Sequence, residues 1–394
     1  MQNTRGRQAR PASLLLLGAA LLLSLLVAKA HPAAAADAST DSPTISASIA
    51  EPWRAIWIVR DRLATPAKTR AAIRAAAALG ATDLFVQIRG RGDALYHSDL
   101  LPPPPMLADV VVKRAGTVDS LRWDPLAVAI EEAHAAHLRL HAWCNVYLVW
   151  SDRDVDAARG GPPRGHVLRE HPDWAAILDD GRSLAALPAA EWRARNLEGV
   201  FLDPTRAEVR AHLVAAVDEL VSRYAIDGLH WDYVRAPRAG LQADDDSLRE
   251  SISTFVREAA TAARARRPDL ALSAAVYPDP SEAEREVRQE WVRWLAQGWI
   301  DRAVPMAYTA SLSRLDDWTR REREAGAPLD RVVMGLGAYR LDREALRAEL
   351  DWAGAQGVAG VSLFSLDQLE RDPALAEEVR RRWRASPPGM LAAP

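Results

Sequence analysis

From Arg54 onward, short apolar runs alternate with longer segments in which apolar residues recur at helical spacing. Eight runs read as strands. The first four are RAIWIVR (Arg54–Arg60), DLFVQIR (Asp83–Arg89), LRLHAWCNVYL (Leu138–Leu148) and GLHWDYV (Gly228–Val234). LALSAAVY (Leu270–Tyr277), DRAVPMAY (Asp301–Tyr308), RVVMGLGAY (Arg331–Tyr339) and GVSLFSL (Gly360–Leu366) complete the set. Between them the period changes. In DPTRAEVRAHLVAAVDELVSRY, the residues Val209, Leu213, Val217, Leu220 and Tyr224 fall on one helix face. Asp124-Pro125, Asp203-Pro204 and Asp372-Pro373 each supply a capping carboxylate followed by a proline, which predicts helix starts there.

Strand and helix alternating in this way predict a parallel sheet with crossover helices. Eight such units over residues 51–386 fit an α/β fold of the (β/α)8 TIM-barrel type in a single domain. An open doubly wound sheet would carry a glycine-rich phosphate turn after its first strand, and WIVRDRLATPAK has none. Loop lengths support the barrel. ALGATD, HAAH and AIDG are brief turns into strands, whereas enlarged loops follow strands two and three, the latter running from Ser151 to Gly199. In such barrels the loops after the strands build the functional face.

Alternate residues of a strand share a face, so polar groups at strand ends identify what collects at the barrel mouth. His141, Trp143 and Asn145 align on the third strand, Phe85, Gln87 and Arg89 on the second, and His230 and Asp232 on the fourth. Tyr277 and Tyr308 end the fifth and sixth strands, and Tyr233 and Arg235 open the loop after the fourth. Asp93, Asp279 and Asp367 lie in loops on the same side. Each has a plain structural reading. Arg89 could neutralise Asp232, His141 could be a satisfied core histidine, and the tyrosines could be rim packing. For Asp232 the functional reading is the stronger one, because a carboxylate at the C-terminal end of a barrel strand reads as catalytic.

Outside this region the chain is simpler. Arg5, Arg7 and Arg10 precede the apolar LLLLGAALLLSLLVA, and Ala28-Lys29-Ala30 offers a small-residue cleavage site. Residues 1–30 thus read as a secretory signal peptide, with an uncleaved anchor as the alternative, and residues 31–50 as a flexible linker. Residues 387–394 form a C-terminal tail. The expected destination is outside the cytoplasm, in the periplasm or cell envelope or beyond the cell. The single cysteine, Cys144, excludes an intrachain disulfide. A formal net charge of -3 and the lack of a basic block argue against a nucleic-acid partner. Trp is abundant, with 14 copies against 7 Tyr and 4 Phe. Its flat apolar face suits sugar rings as well as packing.

Several motifs in combination carry a family resemblance. They are Gly92-Asp93-Ala94-Leu95-Tyr96, Trp123-Asp124-Pro125-Leu126, His141-Ala142-Trp143, His171-Pro172-Asp173-Trp174, Leu202-Asp203-Pro204 and Asp227-Gly228-Leu229-His230-Trp231-Asp232-Tyr233. With looser agreement in GWIDRAVPMAY and GVAGVSLFSL, the region from Trp53 to Leu366 resembles the bacterial glycosyl-hydrolase-like family 10. Cys144 and Val146 depart from its usual pattern.

The resemblance implies a TIM barrel that hydrolyses a polysaccharide of the envelope or exterior, with peptidoglycan or another amino-sugar glycan as substrate. It implies no cofactor and no metal. That chemistry needs two carboxyl groups. Asp232 is the first choice, as nucleophile if configuration is retained, and Asp279 the second, ahead of Asp93 and Asp367. Gln87, Arg89, Asp93, His141, Trp143, Asn145, Trp174, His230, Tyr233, Arg235, Tyr277, Tyr308 and Asp367 are the expected substrate-binding residues. Two rival readings are a barrel that binds glycan without cutting it, and a metal-dependent hydrolase or deacetylase built on His141, His230 and Asp367. A nucleotide-using enzyme lacks its phosphate loop.

Overall fold

A computed structural model describes residues 52–116, 118–151 and 161–385. The expected leader, linker and tail lie outside the described residues. All eight strands form. They are β1 (Trp53–Ile58), β2 (Asp83–Arg89), β3 (Arg139–Asn145), β4 (Gly228–Asp232), β5 (Ala271–Val276), β6 (Arg302–Pro305), β7 (Val333–Leu336) and β8 (Gly360–Leu363). They lie side by side in the order β6-β5-β4-β3-β2-β1-β8-β7, and every pairing is parallel. The two ends meet through bridges from Ala303 to Val332 and from Met306 to Gly335, which brings the sheet round to a barrel.

Helices α1 (Pro66–Leu79), α2 (Pro125–Ala135), α3 (Ala207–Arg223) and α4 (Asp245–Arg266) cover the outside of the first half. The second half has α5 (Pro280–Val287), α6 (Leu312–Glu324), α7 (Arg343–Ala355) and α8 (Pro373–Ala385). Asp124 caps α2 by accepting from Ala127 N at 3.0 Å. Asp372 does the same for α8 through Ala374 N and Leu375 N. Asp203 does not cap α3. Its carboxylate closes a local turn on the amide and hydroxyl of Thr205, and α3 begins only after Arg206. The local turn satisfies the carboxylate before the helix starts.

Strand alternation divides the core in two. Outward-facing Ile56, Ile58, Leu84, Val86, Leu229 and Trp231 join the layer between sheet and helices. Inward-facing Trp53, Trp57, Phe85, Trp143, Val304 and Val333 fill the barrel itself. The lower interior also holds histidines that are paired at one ring nitrogen and packed on aromatic neighbours. His141 Nε2 lies 2.9 Å from Asp83 Oδ1, and Arg139 bonds the same carboxylate. Gly228 makes room for that histidine, since a Cβ there would sit 2.1 Å from His141 Nδ1. Between β2 and α2 the chain adds a small antiparallel pair, Val111–Val112 with Ser120–Leu121. Between β3 and α3, Leu148–Trp150 pairs with Val200–Phe201, so the long excursion leaves and returns at one place.

Candidate active site

On β4, Gly228, His230 and Asp232 face inward, and Asp232 is the last strand residue. Tyr233 then adopts a left-handed backbone with φ of 50°, a conformation that costs a bulky residue about 1–2 kcal/mol. This breaks the alternation, so that Asp232, Tyr233 and Arg235 all line the same cavity. It also turns the Tyr233 N–H onto Asp232 Oδ1 at 2.7 Å. Asp232 Oδ2 accepts from Trp143 Nε1 at 3.2 Å, a donor shared with Asn145 Oδ1 at 3.0 Å. Asn145 in turn donates to the carbonyl of Gly90, tying β3 to the loop after β2. Burial pushes the Asp232 carboxyl up to about 6, against the pull of Arg235, the Tyr233 N–H and Trp143. A carboxyl so placed exchanges its proton near neutral pH.

The cavity is about 450 Å³ and opens at the C-terminal ends of the strands. Of the residues expected from sequence, Gln87, Trp143, Asn145, Asp232, Tyr233, Arg235, Tyr277 and Tyr308 line it. The Arg235 guanidinium lies 4.6 Å from the Tyr233 ring centroid and 5.6 Å from that of Tyr277. These contacts form a cation-aromatic wall that fixes the arginine. It pairs with the carboxylate of Glu198 at 2.7 Å.

Glu198 also lines the cavity and escaped the sequence reading, as did Trp57, Arg91, Phe364, Val59, Pro278 and Met306. Trp57 was legible, because it shares the inward face of β1 with Trp53 and Ala55. Glu198 was hidden at the far end of the excursion after β3. The pairing of Trp150 with Val200 brings it back to the mouth. Gly199 permits that return, for a Cβ there would lie 2.0 Å from Trp150 O. A glycine directly before the returning strand was the available signal.

The other expected residues lie elsewhere. Asp279 is the N-cap of α5, accepting from Ser281 N and Glu282 N, and it pairs with Arg321 Nη1 at 2.5 Å. Burial opposes its charge, but those donors hold it below the usual carboxylate range, and it is not in the cavity wall. The Asp279-Pro280 dipeptide was itself a helix-start signal. Asp93 is buried against Arg60 at 2.9 Å and accepts from Gly90 N and Arg91 N, so it closes its own loop. Asp367 meets Arg62 at 3.4 Å.

Arg89 is turned out of the barrel by a register shift between Gln87 and Arg89. Its Nη1 donates to the carbonyls of Asn145 and Val146, beside Cys144 and Tyr96 in the outer core. It therefore clamps the end of β3 and does not neutralise Asp232. His141 and His230 are core residues below the mouth. His230 stacks on Phe85 at 4.1 Å and bonds Ser273 Oγ at 2.8 Å. Trp174 stacks on His171 at 4.0 Å, outside the cavity wall. Among the described residues no group of three or more His, Cys, Asp or Glu side chains is arranged to hold a metal ion.

Comparison with known proteins agrees with the barrel fold. The sequence model of the family described as Glycosyl hydrolase-like 10 matches residues 52–249. The chain is 25% identical over 304 residues to glycosyl hydrolase YngK of Bacillus subtilis, a match covering 67% of this chain and 54% of that protein. It therefore spans about half of that relative's length. It is 24% identical over 339 residues to glycosyl hydrolase DigH of Escherichia coli K12, covering 76% of this chain and 70% of the relative. Among solved structures, the glycoside hydrolase domain of PgaB from Bordetella bronchiseptica superposes with a TM-score of 0.60 at 14% identity. That superposition covers 84% of this chain and 98% of the other, a likeness of fold.

Proposed function

The chain belongs to the glycosyl hydrolase-like 10 family, and on that premise we propose that it is an exported glycoside hydrolase in which Asp232 drives the proton transfers of glycosidic cleavage. The substrate is a polysaccharide of the envelope or exterior, of peptidoglycan or other amino-sugar type. The observation that carries the reading is Asp232 itself. It is a buried carboxyl at the end of β4, raised to about 6, on the wall of an aromatic cavity. In its neutral form it is suited to protonate the leaving oxygen, and in its ionised form to take a proton back.

Glu198 is the second carboxylate on the cavity wall and replaces Asp279 as the partner that the chemistry requires. Arg235 holds it from one side and also lowers the charge cost at Asp232, so one guanidinium sets both acids. Tyr277, Tyr308 and Trp143 offer ring faces for the apolar side of a sugar, and Gln87 and Asn145 offer amides for its hydroxyls. The basic start and apolar run before Ala30 support export.

The test uses two substrates. Release of new reducing ends from a glycan polymer should fall by about 100-fold or more in Asp232→Asn and in Glu198→Gln, the scale of general acid–base catalysis. A dinitrophenyl glycoside needs no protonation of its leaving group, so Asp232→Asn should lose much less on it. Equal loss on both substrates would make Asp232 the nucleophile instead. Undiminished cleavage of the polymer would remove it from the reaction. Binding of glycan by the native protein without new reducing ends would show a binding barrel.

A further inference from the structure

The aromatic wall of the cavity continues beyond it. Tyr308 and Phe364 line the cavity with ring centroids 5.6 Å apart. Tyr339, in the turn after β7, packs on both, at 6.0 Å from Tyr308 and 6.3 Å from Phe364. Tyr339 is nevertheless 48% exposed, the aromatic one among the large exposed apolar side chains of the described residues. A half-exposed ring that continues the aromatic lining of a cavity offers a flat face to a ligand lying across the rim.

Two further features show that the arrangement is built. Gly337 lies beneath both tyrosines, and a Cβ at that position would come within 3.0 Å of Tyr308 Cβ and 3.2 Å of Tyr339 Cε1. Any side chain there would push the rings apart. Arg340 holds the exposed ring from its own side, with Nε 3.2 Å from Tyr339 Oη and its guanidinium 5.4 Å from the ring centroid. The ring is therefore placed before any ligand arrives, and little side-chain freedom remains to be lost on binding.

We propose that Tyr339 is the platform for a further sugar ring, outside the one held against Asp232, so that the site takes a chain of sugars and not a single terminal residue. This rests on the glycoside hydrolase reading above. A flat ring with one polar edge matches the apolar face and equatorial hydroxyls of a pyranose. It also extends the aromatic lining formed by Phe364 and Tyr308 past the cavity to the exposed ring of Tyr339.

The experiment measures binding, with cleavage blocked by Asp232→Asn, using N-acetylglucosamine oligomers of one to six sugars and peptide-free peptidoglycan strands in titration calorimetry. Affinity should rise with chain length beyond one sugar. Adding Tyr339→Ala should remove about 10-fold of that affinity, or ~1.4 kcal/mol, from the longer chains and leave the single sugar unchanged. Tyr339→Phe should keep it, because the ring face and not the hydroxyl is the contact. An undiminished gain with chain length in Tyr339→Ala would overturn the proposal while leaving the hydrolase reading intact. So would an equal loss for the single sugar. Failure of all these glycans to bind would overturn the hydrolase reading on amino-sugar chains, and the outer platform with it.

Discussion

Asp232→Asn should lose most of its cleavage of the polymer and yet, at neutral pH, be more stable. The carboxyl rises from 3.8 to about 6 on folding, which at ~1.36 kcal/mol per pH unit is worth about 3 kcal/mol. The sign follows from linkage. Below the unfolded value both states carry the proton, and the folded state bears no penalty. As pH rises through the folded value the native protein must bury a charge, and the full ~3 kcal/mol is lost. Asparagine never ionises and escapes that loss. It keeps one acceptor for the Tyr233 N–H or Trp143 Nε1 but turns an N–H against the other, a pH-independent cost of about 1–2 kcal/mol.

The variant should therefore be about 1–2 kcal/mol less stable than the native protein near pH 4, and more stable by a similar amount near pH 7.5. Urea unfolding followed by tryptophan fluorescence at intervals across that range gives both curves. They should cross between the unfolded and folded values of the carboxyl. Parallel curves would refute the argument, because they would mean that Asp232 is solvated and its charge is not penalised by burial.

Other perturbations test the frame around the site. Burial raises Glu322 to about 8, so stability should fall as pH climbs from about 4.5 through 8, and Glu322→Gln should flatten that fall in the same unfolding assay. Asp83 shows the opposite behaviour. Burial opposes its charge, but His141 and Arg139 hold it down to about 2, so its contribution is lost as pH drops from about 4 to 2, and Asp83→Ala, which leaves buried His141 Nε2 without its partner, should cost about 1–3 kcal/mol at neutral pH. Gly228→Ala drives a methyl into His141 and the Ala271 carbonyl and should lower stability by about 1–3 kcal/mol or more, read as a fall in the urea midpoint.

The strand pattern alone placed the eight strands, the inward face of β4 and Asp232 at its tip, because side-chain alternation is a local property of extended backbone. The same rule failed for Arg89. A one-residue register shift inverted its side, and nothing in DLFVQIR marks such a shift. Asp279 stands off the cavity wall because a carboxylate before proline has two uses, and the Arg321 that engages it lies 42 residues on. Glu198 carried no local mark beyond the glycine that follows it, for a related cause, since its place depends on Leu148–Trp150 finding Val200–Phe201 across the long excursion.

Local periodicity thus determined which residues could face the barrel and which carboxylate ends a strand. Which acids share a cavity, and which are already satisfied by an arginine or a helix start, was decided only by folding. Those outcomes depend on partners distant in sequence, and a carboxylate's chemistry is set by whichever donors and burial it meets there.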